Sequence, residues 1–157
     1  MASDPAASAA QVVVHFDGAC QPPNSSGIAT WAFTVEGAGL DREDSGLAAP
    51  PFSPGSTNNV AEYTGAIRAL EYLLARGYRG PVLVMGDSEL VIRQMEGRYQ
   101  VRKDHLKSLH RRLSALAGQF APSIRFISVP RERNTRADAL TKEAIDKARR
   151  ALDPPNQ

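Results

Sequence analysis

Residues 57–88 read TNNVAEYTGAIRALEYLLARGYRGPVLVMGDS, and this stretch decides the fold class. Val60, Tyr63, Ile67, Leu70 and Leu74 recur at helical spacing and make one apolar stripe along Thr57–Arg76. Asn58 or Asn59 can cap that helix, and Gly77 follows its end. Val82–Met85 is a short, wholly apolar run, which suits a strand buried at the centre of a sheet. Asp87-Ser88 then stands where a further helix begins, and that helix runs to about Met95. A helix feeding a buried strand is the mark of a parallel crossover.

Toward the N-terminus the period changes. Gln11–Phe16 (QVVVHF) reads as a strand that stops at an Asp17-Gly18 turn. Pro22, Pro23, Asn24, Ser25 and Ser26 make a loop, and Ile28–Val35 (IATWAFTV) is a second strand. Arg42–Ala49 is a third, and the Pro-rich Pro50–Ser56 leads into the long helix. Toward the C-terminus, Gly97 interrupts the helix after Asp87-Ser88. Leu106, Leu109, Leu113 and Leu116 form another apolar stripe, with Lys103, Lys107 and Arg111 on a separate face. Ile124–Val129 is a strand, Pro130–Asn134 a loop, and Thr135–Arg150 a helix with Ala137, Leu140, Ala144 and Ala148 inward. The expected architecture is α/β: a mixed sheet whose early strands pair as antiparallel hairpins and whose later strands run parallel. Residues 11–150 form its single domain, between a disordered tail at 1–10 and a short tail at 151–157.

A chain of 157 residues suits one domain, and 42% hydrophobic with 23% charged residues is ordinary globular usage. The single cysteine, Cys20, excludes an internal disulfide framework and a Cys-rich zinc site. No run approaches the ~18 apolar residues of a membrane span. Met1–Ala10 lacks the basic start of a secretory signal. The expectation is a soluble, cytoplasmic monomer with no membrane contact and no obligatory protein partner. The net charge of +2 is unevenly placed, since residues 1–56 sum to −5 and residues 57–157 to +7. A basic C-terminal portion suits a polyanionic partner or a solvated Arg-rich surface.

Four acids fall at element boundaries. Asp17 ends the first strand, Glu62 lies early in the long helix, Asp87 ends the apolar strand, and Asp138 lies early in the last helix. Each has a plain explanation: a turn pair, a capping box with Asn59, a helix cap, and a partner for a helix dipole. If the sheet makes Asp17 and Asp87 neighbours and the two helix starts reach the same edge, the four form a cluster. Two carboxylates ~5 Å apart repel by about 3 kcal/mol at an effective dielectric of ~20, so such a cluster needs protons or a cation. Oxygen-only ligands suit Mg²⁺ or Mn²⁺, and two such ions can drive phosphodiester hydrolysis.

Phe16-Asp17-Gly18-Ala19-Cys20, Thr57-Asn58-Asn59-Val60-Ala61-Glu62, Gly86-Asp87-Ser88 and Asn134-Thr135-Arg136-Ala137-Asp138 resemble, in order, the signature blocks of ribonuclease H type 1. The resemblance runs from about Val12 to Ala148. It implies a five-stranded mixed sheet flanked by helices, and metal-dependent endonucleolytic hydrolysis of the RNA strand of an RNA–DNA hybrid. The products would carry 5′-phosphate and 3′-hydroxyl ends. Asp17, Glu62, Asp87 and Asp138 match the family's catalytic carboxylates, which hold two Mg²⁺ or Mn²⁺ ions with substrate. Glu62 would also meet a ribose 2′-OH near the scissile bond. Cys20, Asn24 and Asn59 match positions that approach the RNA strand in the minor groove, where polar groups read the 2′-OH. Thr57 matches a residue that binds a DNA phosphate. Asn58 and Asn134 belong to the same blocks and join the substrate-contact candidates. Helix capping stands beside contact for Asn58 and Asn59, and packing beside contact for Cys20.

Three departures shape the expectation. Glu89 follows the Asp-Ser pair where the family often has Gln, and a carboxylate cannot donate to a base edge. Met95–Lys103 is too short for the basic handle of the bacterial branch, so grip on the substrate falls to Lys103, Lys107, Arg111 and the nearby Arg93, Arg98 and Arg102. The loop Pro130–Asn134 lacks the histidine common before the last acid. It offers Arg131 and Arg133, which act by charge and not as bases. In this the chain resembles the archaeal-type or plant-like subgroup. His15 shares strand parity with Asp17 and reads as a packed residue beside the site. Two rival functions stay open: a nuclease of relaxed duplex choice, including RNA–RNA, and a non-catalytic nucleic-acid-binding module.

Overall fold

The β-branched run after Gln11 forms β1 (Val12–Gln21), which pairs antiparallel with β2 (Ile28–Glu36). Strand β3 (Arg42–Leu47) pairs antiparallel with β2 and forms one edge. The apolar run Val82–Met85 becomes β4 (Val82–Gly86), parallel to β1, and β5 (Ile124–Ser128) lies parallel beyond it. The sheet order is β3-β2-β1-β4-β5, the expected five-stranded mixed sheet. The computed structural model describes residues 11–23 and 26–152. The expected tail at 1–10, the site candidate Asn24 and residues 153–157 lie outside them.

Four helices are present among the described residues: α1 (Asn58–Ala75), α2 (Glu89–Met95), α3 (Asp104–Gly118) and α4 (Thr135–Leu152). Strand β2 explains how they divide. Its odd residues Trp31, Phe33 and Val35 belong to the main apolar core with Tyr63, Leu70 and Leu73 of α1. Its even residues Thr30, Ala32 and Thr34 are also buried, and Thr30 Oγ1 donates to the Thr141 carbonyl of α4 at 2.8 Å. Alternation along a strand therefore puts α1 and α4 on opposite faces. Helix α3 packs along α1 through Leu106, Leu113 and Ala117. No helix among the described residues is long and apolar enough to cross a membrane.

Three expectations are corrected. First, β1 does not stop at Asp17-Gly18; it continues to Gln21, paired with β2 from Asp17↔Ala32 to Gln21↔Ile28. Gly18 serves close approach rather than a turn, because the start of α1 lies directly on it. Gly65 does the same one helical face later, where a Cβ would stand 2.9 Å from the Asp17 carbonyl. Second, the cap of α1 is Thr57, whose Oγ1 accepts from Val60 N–H at 3.3 Å, rather than Asn58 or Asn59. Third, Thr141 and Ile145 are buried on α4 with Ala137, whereas Leu140, Ala144 and Ala148 are half-buried. Those three line an open groove beside β3, which is too short to cover them.

Candidate active site at the end of the parallel ladder

The last parallel rung between β1 and β4 is Phe16↔Gly86. Asp17 and Asp87 each follow it by one residue, so the end of one ladder makes them neighbours. Ser88 caps α2, accepting from Val91 N–H at 3.3 Å, and leaves Asp87 free of the capping role. With Thr57 as the cap of α1, the third helical position is Val60, so Glu62 completes no capping box. Glu62 instead reaches the ladder's end. Single carboxylate oxygens of Asp17, Glu62 and Asp87 all lie within 4.8 Å of one another.

Asp17 is 5% exposed. Burial, and then the negative charge of Asp87, push its carboxyl up to about 8, against a weaker opposing hydrogen bond from Gly18 N–H. Glu62 and Asp138 push in the same direction. Burial likewise raises Glu62 to about 7, offset in part by a hydrogen bond from Ser88 and by the Arg131 charge. Ser88 thus joins the cap of α2 to the Glu62 carboxylate, a role that its place after Asp87 hints at only in outline. Three carboxylates crowded this closely, with Asp17 and Glu62 held above the ordinary carboxylate range, make a set that could hold a cation. Their all-oxygen donor set suits Mg²⁺ or Mn²⁺.

Asp138 stands in the first turn of α4. It lies outside the 4.8 Å trio but close enough to act on Asp17. Its carboxylate is paired with Lys142 Nζ at 3.0 Å, one turn along the same helix. Arg131 and Arg133 occupy a 3₁₀ turn (Arg131–Arg133) that leads into α4, and both are exposed. Arg131 Nε lies 3.6 Å from Asp87 Oδ2. Glu89 opens α2, exposed, on a cleft it shares with Asp87, Arg93 and Arg131. Asn58 and Asn59 are half-buried in the first turn of α1, next to the capping Thr57.

Two substrate-contact candidates are buried, Cys20 in keeping with its packing reading. Cys20 is on β1 and 3% exposed, with its thiol donating to the Ser56 carbonyl at 3.1 Å, so it packs the strand against the loop before α1. Asn134 is 1% exposed. Its Nδ2 donates to the Phe16 carbonyl at 2.8 Å and lies 3.4 Å from Asp87 Oδ1. Its Oδ1 is buried with no partner among the described residues, a cost of roughly 1–3 kcal/mol for such a group. His15 is half-buried, and burial lowers its pKa against the pull of Glu36. It lines a cleft of about 650 Å³ with Thr34, Arg133, Asn134 and Arg136. His110 is half-buried, with its Nε2 3.2 Å from the Gln94 carbonyl.

The handle is absent, as expected: only residues 96–103 join α2 to α3. Lys103, Lys107 and Arg111 are exposed along α3. A bidentate pair that the sequence did not suggest ties the start of α4 to β3: Arg136 Nε and Nη2 each lie 2.8 Å from a Glu43 carboxylate oxygen.

The family model described as "Reverse transcriptase-like" matches residues 15–144. The bifunctional protein Rv2228c of Mycobacterium tuberculosis is 44% identical over 93 residues, which are 59% of this chain and 25% of that protein. This chain thus spans about a quarter of the length of the mycobacterial relatives it matches. The solved N-terminal RNase H domain of Rv2228c superimposes with a TM-score of 0.79 at 34% identity, over 91% of this chain and 99% of that one. Ribonuclease HI of Halobacterium salinarum is 31% identical over 138 residues, 88% of this chain and 66% of that protein. LC11-RNase H1, isolated from compost by a metagenomic approach and solved in complex with an RNA/DNA hybrid, gives a TM-score of 0.76 at 35% identity, over 87% of this chain and 98% of that one.

Proposed function

The chain belongs to the reverse transcriptase-like family, as a domain of the ribonuclease H1 type, and from that premise we propose that it hydrolyses the RNA strand of RNA–DNA hybrids by two-metal-ion catalysis. The observation that carries the proposal is the meeting of Asp17, Glu62 and Asp87 within 4.8 Å at the end of the parallel ladder. Capping and turn roles for these acids are excluded by Thr57, Ser88 and the continuation of β1, so nothing structural is left to account for the crowding.

Asp17, Glu62 and Asp87 would hold one divalent ion, and Asp138 would join Asp17 in holding the second. When bound, Mg²⁺ or Mn²⁺ supplies charge neutralisation at the phosphate and a water acidic enough to attack it at neutral pH. The carboxylates fix where that charge sits. Arg131, exposed beside Asp87, would meet a substrate phosphate by charge. Asn58, Asn59 and Glu62, in the first turns of α1, would face the RNA strand, where polar groups can tell a ribose 2′-OH from deoxyribose. Thr57 at the cap of α1 and Glu89 at the start of α2 would meet the same substrate. Attack of water on phosphorus with departure of the 3′ oxygen leaves 5′-phosphate and 3′-hydroxyl ends. A cytoplasmic monomer belongs to the same proposal.

The test is cleavage of an end-labelled hybrid with Mg²⁺ or Mn²⁺, using wild type and Asp87→Asn. Hybrid cleavage abolished by the substitution and by EDTA is expected. Cleavage that survives either one sinks the metal mechanism. Equal rates on DNA–DNA remove the 2′-OH role of Glu62 and Asn59, and substantial cleavage of RNA–RNA selects the relaxed-duplex alternative. Binding of hybrid with no cleavage under any ion selects the non-catalytic module.

A further inference from the structure

Asn134 stands where a helix cap belongs. Helix α4 starts at Thr135, and the Asn134 carbonyl accepts the first intrahelical bond, from Asp138 N–H at 3.0 Å. Asparagine is favoured at such a place because its side-chain oxygen can accept a free N–H of the first turn. Here Oδ1 accepts nothing among the described residues, although the side chain is buried. The amide points the other way. Nδ2 donates to the carbonyl of Phe16, the residue before Asp17 and the last parallel rung of β1. The same nitrogen approaches Asp87 Oδ1, while Arg131 stands on the Oδ2 side of that carboxylate. The residue therefore forgoes its cap and leaves an oxygen unpartnered, and what its nitrogen gains in return lies wholly at the carboxylate notch.

We infer that Asn134 is a positioning residue: one buried amide fixes the orientation of the Asp87 carboxylate and the spacing between β1, which carries Asp17, and α4, which carries Asp138. Partners behind a metal-holding carboxylate set its direction and affinity, and their loss typically weakens metal binding by about 10–100-fold. The inference rests on the reading of the notch as an ion site.

The experiment is isothermal titration of wild type, Asn134→Ala, Asn134→Ser and Asp87→Asn with Mn²⁺ alone, with circular dichroism of each. Serine caps a helix as well as asparagine does but is too short to reach both Phe16 and Asp87, so it separates positioning from capping. Folded Asn134→Ala and Asn134→Ser proteins that bind Mn²⁺ at least about tenfold more weakly are expected. Full affinity in either variant, or restoration by serine, overturns the inference, as does failure of both variants to fold, which assigns the residue to stability alone. Mn²⁺ binding that Asp87→Asn leaves unchanged is a different failure: it overturns the ion-site reading itself.

Discussion

A Cβ placed on Gly18 would stand 2.3 Å from the backbone nitrogen of Glu62. That closeness seats the first turns of α1 on β1 and brings Glu62 to Asp17. Any side chain at residue 18 must push backbone against backbone. For Gly18→Ala, overpacking of this kind costs roughly 1–3 kcal/mol. A fall in Tm of roughly 2–12 °C is expected for a chain of this size. Hybrid cleavage should fall further than stability does, because Glu62 moves with the helix. Thermal melts beside cleavage rates check both.

The raised carboxyls predict the pH dependence of the ion-free protein. Asp17 moves from 3.8 unfolded to about 8 folded, and Glu62 from 4.5 to about 7. Between those limits the native state holds more protons than the unfolded state, so stability falls as pH rises. The contribution is complete below the unfolded values and is lost by about pH 8. In EDTA, the Tm of wild type should drop between pH 5 and pH 8.5 more steeply than that of Asp17→Asn. Added Mn²⁺ should restore wild type at pH 8.5 and do little for the variant. Parallel pH profiles of the two proteins contradict this account.

Glu62→Gln and Asp138→Asn should fold as wild type does and lose about a hundredfold or more in hybrid cleavage, the scale of removing one group that stabilises transition-state charge. Relief of like-charge repulsion gives Glu62→Gln a higher ion-free Tm at pH 8. Circular dichroism and single-turnover cleavage decide it; an unfolded Glu62→Gln protein points to a structural role for that side chain.

Arg131→Ala tests the loop without a histidine. Arg131 is 78% exposed, and exposed ion pairs contribute about 0–1 kcal/mol, so the Tm should stay within roughly 3 °C. Cleavage should fall about tenfold or more, through loss of a charge-assisted contact to phosphate. Unchanged kcat/KM removes Arg131 from the mechanism.

Tyr63→Phe is the converse case. Tyr63 OH donates to Gln94 Oε1 inside the core, and Gln94 Nε2 lies 3.4 Å from the Gln100 carbonyl. Leaving that acceptor without its donor costs roughly 1–3 kcal/mol. Urea melts should show the loss, while the rate per folded molecule stays near wild type.

Local pattern made much of this molecule legible. The stripe Val60–Tyr63–Ile67–Leu70 and the apolar Val82–Met85 became α1 and β4 because period and burial agree there. The four acids were likewise visible, since each stands beside an element boundary or a ladder end. What stayed hidden depends on distant partners. Asp17-Gly18 carries a turn signal, and only the approach of α1 turns that glycine into a packing site. Asn134 occupies a cap position, and only the fold shows its amide facing Phe16 and Asp87. The Arg136–Glu43 pair joins residues 93 apart in the chain, a distance no periodicity spans.

Strand β1 has two neighbours up to Phe16 and one thereafter. The break leaves a step in the sheet, where β1 runs on beside β2 after its pairing with β4 has ended. A polymer longer than the protein can rest across such a step without threading an end into it. The endonucleolytic mode proposed above therefore predicts that a hybrid with both ends blocked is cut as readily as one with free ends.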